Sequence, residues 1–143
     1  MSLNRLLRRL RRLRSVSYIC PMENRIDVER TDGGVAVISL TGEHDLYTAP
    51  AISDRIADVL EDGTALVIDL TQSTFIDSSV LRVLLEARRE AHERVVGFAV
   101  ALGEDGFPGV RRMLEVTGLI GVFPVLPARK DALRLAASGD GRP

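Results

Sequence analysis

The segment Thr74-Phe75-Ile76-Asp77-Ser78-Ser79-Val80-Leu81 sets an acid and two hydroxyls after an apolar pair and before an amphipathic run. Asp and Ser are preferred helix caps because their oxygens accept the unpaired N–H groups of the first turn. The string therefore reads as a helix start on structural grounds alone. It also admits a chemistry. A serine hydroxyl at a helix N-terminus stands at a loop tip, open to a kinase. A phosphate there adds about −1.5 to −2 charges beside the positive end of the helix dipole. Phe75 and Ile76 are expected to pin the chain to the core just ahead of it.

Other chemically able side chains are few. No Gly-rich phosphate loop, GxSxG elbow or HExxH pair occurs. His44 and His92 are the only histidines. With His92 at a charged helix end and His44 in a loop, both are expected to be solvated and not to form a metal pair. Glu43 and Asp45 make a loop carboxylate pair with no evident proton acceptor or cleft, which is weak ground for acid–base work. Asp69 ends an apolar strand, as the acceptor of a phosphoaspartate receiver does, and Glu43, Asp45 and Lys130 could be drafted as its partners. Strand order argues against that, since one helix separates the acids' strand from that of Asp69. Cys20 is the only cysteine, so an internal disulfide, a multi-cysteine zinc site and a CxxC pair are excluded. No metal or cofactor is expected.

The elements that must position these residues follow from periodicity. Ile26 and Val28, then Val35 to Leu40, read as two β-runs joined by the turn-forming Thr31-Asp32-Gly33-Gly34, an antiparallel hairpin. Gly42-Glu43-His44-Asp45 closes the second strand. Thr48-Ala49-Pro50 opens a helix with the stripe Ile52, Ile56, Val59, Leu60, ended by Asp62-Gly63. The continuous apolar run over 65–70 suits a parallel strand buried on both faces. A helix from Ser78 to about Glu93 buries Val80, Leu84, Ala87 and Ala91 and pairs Arg82 with Glu86 and Arg89 with Glu93 at i,i+4. Then come a strand over 95–102, a short helix from Pro108 to Gly118, an edge strand over 122–126 containing Pro124, and a closing helix over 131–137. The fold class is α/β. A mixed sheet opens with the antiparallel hairpin and continues in parallel strands joined by right-handed crossover helices.

A length of 143 residues suits one domain, and 45% hydrophobic with 27% charged residues can bury a core. The net charge of −1 hides an asymmetry. Residues 1–21 hold six arginines and no acid, leaving 13 basic against 20 acidic side chains, or −7, in residues 22–143. That acidic body argues against a nucleic-acid surface, which needs a local excess of Lys and Arg. In the arm, Leu3, Leu6, Leu7, Leu10 and Leu13 fall at helical spacing. It reads as a membrane-surface amphipathic helix, as a disordered arm, or as sequence upstream of an internal start at Met22. Residues 1–24 are assigned to the arm, 25–137 to the domain and 138–143 to a frayed tail. No run approaches the ~20 apolar residues of a membrane span and no secretory signal is evident, so a cytoplasmic location is expected.

Four segments carry a resemblance. They are Val37 to Pro50 (VISLTGEHDLYTAP), Leu66-Val67-Ile68-Asp69-Leu70, Phe75-Ile76-Asp77-Ser78-Ser79, and Val110 to Leu119 (VRRMLEVTGL). Together they resemble a STAS domain of the bacterial anti-sigma-factor antagonist type, in the family's order and spacing over about residues 25–137. The resemblance implies a STAS-type fold and a non-enzymatic switch without a cofactor. The antagonist captures an anti-sigma factor that is also a serine kinase, freeing the sigma factor for transcription, until phosphorylation of a serine breaks the complex. By position it makes Ser78 the acceptor and Asp77 the acid before it, with Ser79 the small neighbour. Gly42, Glu43, Asp45 and Thr48 match the loop that shares the partner-facing surface. Glycines often follow the serines in the family; here Val80 and Arg82 take those places, and Arg82 is placed to reach back toward Ser78. A STAS scaffold or ligand sensor that is never phosphorylated is the alternative.

Overall fold

The expected hairpin forms in the computed structural model, which describes residues 24–103 and 107–138. Strand β1 (Arg25–Arg30) pairs antiparallel with β2 (Val35–His44), from Arg25 opposite Thr41 to Arg30 opposite Ala36. Thr31 closes the turn by donating its N–H and its hydroxyl to the Val35 carbonyl at 2.9 and 2.8 Å. Gly34 takes φ 76°, a conformation that side chains resist. The arginine-rich arm, with Cys20 and Met22, lies outside the described residues, as does 139–143 of the expected tail. Ser138 is helical.

Helix α1 (Ala49–Glu61), β3 (Ala65–Asp69), β4 (Ser73–Ile76), α2 (Ser78–Glu93), β5 (Phe98–Ala101), α3 (Pro108–Val116), a 3-10 turn (Leu119–Gly121), β6 (Val125–Leu126) and α4 (Arg129–Ser138) follow. The sheet runs β1-β2-β3-β5-β6, with every pair after the hairpin parallel. Alternation along the strands assigns the two faces. Ala36, Ile38, Leu40, Leu66 and Ile68 meet α1, α2 and α3 in the larger core. Val35, Val37, Val67, Ala99 and Ala101 meet Ala132 and Ala136 of α4 on the other face.

Strand β4 is absent from the periodicity reading, because four residues are too few to show a period. Its consequence is large. The first part of β2 pairs with β3, and its end, Gly42 to His44, pairs in parallel with β4. The register shifts between Gly42 and Glu43, where Gly42 takes φ 87°. The extended β2 thus carries its outgoing loop alongside the start of α2.

Several boundaries move, and the short third helix stops at Val116, ahead of the left-handed Gly118. Val95 and Val96 close α2 and do not enter β5, through Val95 N–H to His92 O at 3.1 Å and Val96 N–H to Ala91 O at 3.0 Å. The last strand shortens to Val125–Leu126 because Leu119–Gly121 forms the 3-10 turn ahead of Pro124. The closing helix starts earlier, at Arg129. Among the described residues, no helix is long and apolar enough to cross a membrane.

Candidate functional site

Asp77 organises the start of α2. Its backbone is extended, and carboxylate oxygen Oδ1 accepts from Ser79 N–H at 2.9 Å and Val80 N–H at 3.2 Å. The expected cap therefore forms, and it leaves Ser78 exposed as the first helical residue. The other oxygen does something a plain cap does not. Oδ2 accepts from Leu46 N–H at 3.1 Å, and Asp77 N–H donates to the His44 carbonyl at 3.2 Å. One aspartate ties the serine turn to the loop after β2.

That loop is held from within as well. Asp45 Oδ1 accepts from Tyr47 N–H at 2.9 Å, and the Asp45 carbonyl accepts from Thr48 N–H at 3.1 Å and Ala49 N–H at 2.9 Å. Thr48 Oγ1 accepts from Asp45 N–H at 3.0 Å and lies 3.2 Å from His44 Nδ1. This use of the hydroxyl explains why Thr48 precedes α1 without capping it.

His44 is not the solvated loop residue expected. It ends β2 and is fully enclosed, because the β2–β4 pairing carries the strand farther than the hydropathy pattern shows. Nε2 lies 3.0 Å from the Thr41 carbonyl, which can only accept, so Nε2 carries the proton and Nδ1 accepts from Thr48. Burial holds the imidazole pKa below its ordinary value, against the raising effects of the Thr41 and Arg25 backbones and the Asp45 carboxylate. His92 is exposed, as expected.

This arrangement has relatives. Residues 28–127 match the family model of the Mlab, STAS domain. The chain belongs to the STAS family. The anti-sigma-F factor antagonist RsfB of Mycobacterium tuberculosis is 38% identical over 101 residues, covering 70% of this chain and 80% of that protein. The anti-sigma-B factor antagonist of Listeria monocytogenes is 28% identical over 102 residues, covering 70% of this chain and 86% of its own. Among solved structures, an anti-sigma factor antagonist from Mycobacterium paratuberculosis superposes with a TM-score of 0.71 at 36% identity, over 83% of this chain and 98% of that one. The phosphorylated form of the Bacillus cell fate determinant SpoIIAA shares the fold, with a TM-score of 0.61 at 20% identity over 77% and 97% of the two chains.

In this STAS domain, Gly42 and Glu43 lie opposite Ser73 and Phe75 of β4, and the loop that holds Asp45 and Thr48 is joined to Asp77 through Leu46. Arg82 lies one turn along α2 and is exposed. The expected pairs Arg82–Glu86 and Arg89–Glu93 are not formed among the described residues; the ion pair of that helix is Glu90–Arg94 at 3.1 Å. Exposed pairs gain so little over free solvation that spacing alone does not select them. Phe75 also departs from expectation. Ile76 is buried, but Phe75 is 42% exposed, because β4 lies at the end of the sheet with only β2 beside it.

Asp69 belongs elsewhere. It is buried on the α4 face of the sheet, and its Oδ1 accepts from the N–H and hydroxyl of Thr71 at 2.9 and 2.6 Å. Arg129 pairs with Glu29 and stands 3.9 Å from Asp69 across a polar cleft of about 520 Å³. Glu43, Asp45 and Lys130 do not line that cleft, so the receiver constellation is not assembled. Among the described residues no group of three His, Cys, Asp or Glu side chains could hold a metal ion.

Sequence reasoning missed Leu46 and Tyr47, exposed by 64% and 88% at the loop tip. The signal was available: two large apolar residues stand together inside a polar loop, matching no element's period.

Proposed function

We propose that this STAS protein is an anti-sigma-factor antagonist that captures an anti-sigma factor with serine kinase activity, and that phosphorylation of Ser78 ends the capture. The relatives named as antagonists support the class. The observation that carries the switch is the state of the helix start. Ser78 is exposed, while the Ser79 and Val80 N–H groups that could cradle a phosphate are held by the Asp77 carboxylate. A Ser78 phosphate thus adds about −1.5 to −2 charges beside an existing anion. In a partner interface, desolvation and repulsion of that charge oppose binding by a few kcal/mol.

Glu43, Asp45 and Thr48 act with Asp77 and Ser79 as the surrounding partner surface. Side chains on a helix lean toward its N-terminus, so Arg82, one turn beyond Ser78 and not paired with Glu86, is the cation placed to reach the phosphate and hold the off state. Residues 25–137 are the working module. The arginine arm is dispensable for folding and capture and gives at most a salt-sensitive contact with anionic surfaces.

Titration calorimetry of the full chain against a purified candidate anti-sigma factor tests the switch. Ser78→Ala should bind as the unmodified protein does and stay bound in the presence of ATP. Ser78→Asp and the phosphorylated protein should bind at least about tenfold more weakly. Equal affinity of all forms would sink the switch.

A further inference from the structure

The loop over 45–48 combines two properties that rarely coincide. All four of its backbone N–H groups have partners: Asp45 on Thr48 Oγ1, Leu46 on Asp77 Oδ2, Tyr47 on Asp45 Oδ1 and Thr48 on the Asp45 carbonyl. A loop so tied has little conformational freedom left to lose. Yet Leu46 and Tyr47 stand 64% and 88% exposed, and Phe75, on the strand that pairs with the loop's base, is 42% exposed. Exposing large apolar side chains contributes nothing to folding. Holding them rigidly in solvent lowers the ordering cost that association must otherwise meet.

We propose that Leu46 and Tyr47 are the specificity-determining anchors through which this protein engages its anti-sigma factor. The inference rests on the function proposed above and names the side chains that serve it. Tyrosine suits the role, since a rigid aromatic ring with a polar tip is the kind of side chain that dominates binding at the centre of interfaces. Continuity decides the occupant. The Asp77 carboxylate that holds Leu46 also caps the helix beginning at Ser78, so a partner touching Ser78 touches this tip. The rim carries Glu43, Asp45 and Asp77, in a body whose residues 22–143 sum to −7. The complementary partner surface is therefore an apolar pocket edged by Lys or Arg.

The test uses the full chain and the purified anti-sigma-F factor of Mycobacterium tuberculosis, the target in the name of the 38% identical relative. Affinities are measured for wild type, Leu46→Ala, Tyr47→Ala, Ser78→Asp and Val116→Ala, the last an exposed apolar residue at the far end of α3. Tyr47→Ala and Leu46→Ala should each weaken binding at least about tenfold with unchanged melting temperature, and Val116→Ala should stay within about twofold. If Ser78→Asp weakens binding while both loop variants match wild type, the anchors are overturned and the switch survives. If Ser78→Asp binds like wild type while the loop variants are weakened, the switch falls and the anchors stand; if wild type does not bind, both fall together.

Discussion

The two ends of α2 are closed by opposite means. At the N-terminus a charged side chain takes the helix N–H groups and, with its second oxygen, reaches out to a neighbouring loop. At the C-terminus only backbone is used: Val96 N–H reaches Ala91 O and Val95 N–H reaches His92 O, a Schellman closure. The residue that must then be left-handed is Val95, at φ 58°, where glycine is usual. The first end is organised toward something outside the helix; the second is a purely internal closure that tolerates a poorly suited residue. Stability and switching should therefore separate along this one helix.

The largest test of that separation lies just beyond the C-terminal end. A methyl group on Gly97 would stand 2.0 Å from the Ala136 carbonyl oxygen, so α4 packs on this position with no room for a side chain. Gly97→Ala should destabilise the fold by about 3 kcal/mol, since backbone must move to relieve the overlap. Urea unfolding measures it, and the folded fraction should still bind its partner normally. A loss under about 0.5 kcal/mol would mean that α4 is not held so closely.

Next in size is Asp77→Ala. Losing the cap and the bond to Leu46 should cost about 2 kcal/mol. Unlike the glycine change, it should also weaken partner binding of the folded protein by freeing the loop. Hydrogen exchange at the Leu46 amide should quicken in this variant and stay unchanged in Gly97→Ala. Exchange at the wild-type rate would show that Asp77 does not latch the loop.

Val95→Gly should act in the opposite direction. A left-handed conformation costs a residue with Cβ about 1–2 kcal/mol, of which the greater freedom of unfolded glycine takes back about 0.5–1. With Val95 64% exposed, little packing is lost. A gain of up to about 1 kcal/mol, read as a raised melting temperature with unaltered partner affinity, is expected. Destabilisation would mean that the valine side chain supports the closure.

Sequence reasoning reached the N-terminal end of α2 more completely than its surroundings because the cap is local. Asp77, Ser78 and Ser79 announce a helix start from residue type alone, and the apolar stripe from Val80 to Ala91 confirms its period. Two features depend on a contact between distant segments. Pairing of β4 with the end of β2 is non-local and spans only a few residues, so neither strand shows it alone. The burial of His44 follows from that pairing, and so does the approach of Leu46 to Asp77, 31 residues apart. Val95 failed differently: its β-branched side chain favours a strand, and the helix-closing backbone bonds overrode that preference.

The smallest expected effect returns to the N-terminal end and concerns its one enclosed titratable base. His44 is neutral with Nε2 protonated, and charging it would turn Nδ1 from an acceptor of the Thr48 hydroxyl into a donor facing it. Its folded pKa lies below the unfolded value of about 6.5. Between those two values the unfolded chain binds a proton that the folded chain does not, so stability rises with pH across the window. The contribution of His44 is therefore present above about pH 6.5, is lost as the pH falls toward the folded value, and is constant below it. The Thr41 and Arg25 backbones and the Asp45 carboxylate favour the charged form and oppose the desolvation, which is the larger influence. Comparing wild type with His44→Gln from pH 7.5 to 5.5 isolates this contribution, since the exposed His92 is common to both. Wild type should lose stability on acidification faster than the variant, and the extra loss should be accompanied by faster exchange at the Asp45 amide, which donates to the Thr48 hydroxyl facing the imidazole. Parallel stability curves would show that the imidazole titrates alike in both states and does not brace the loop.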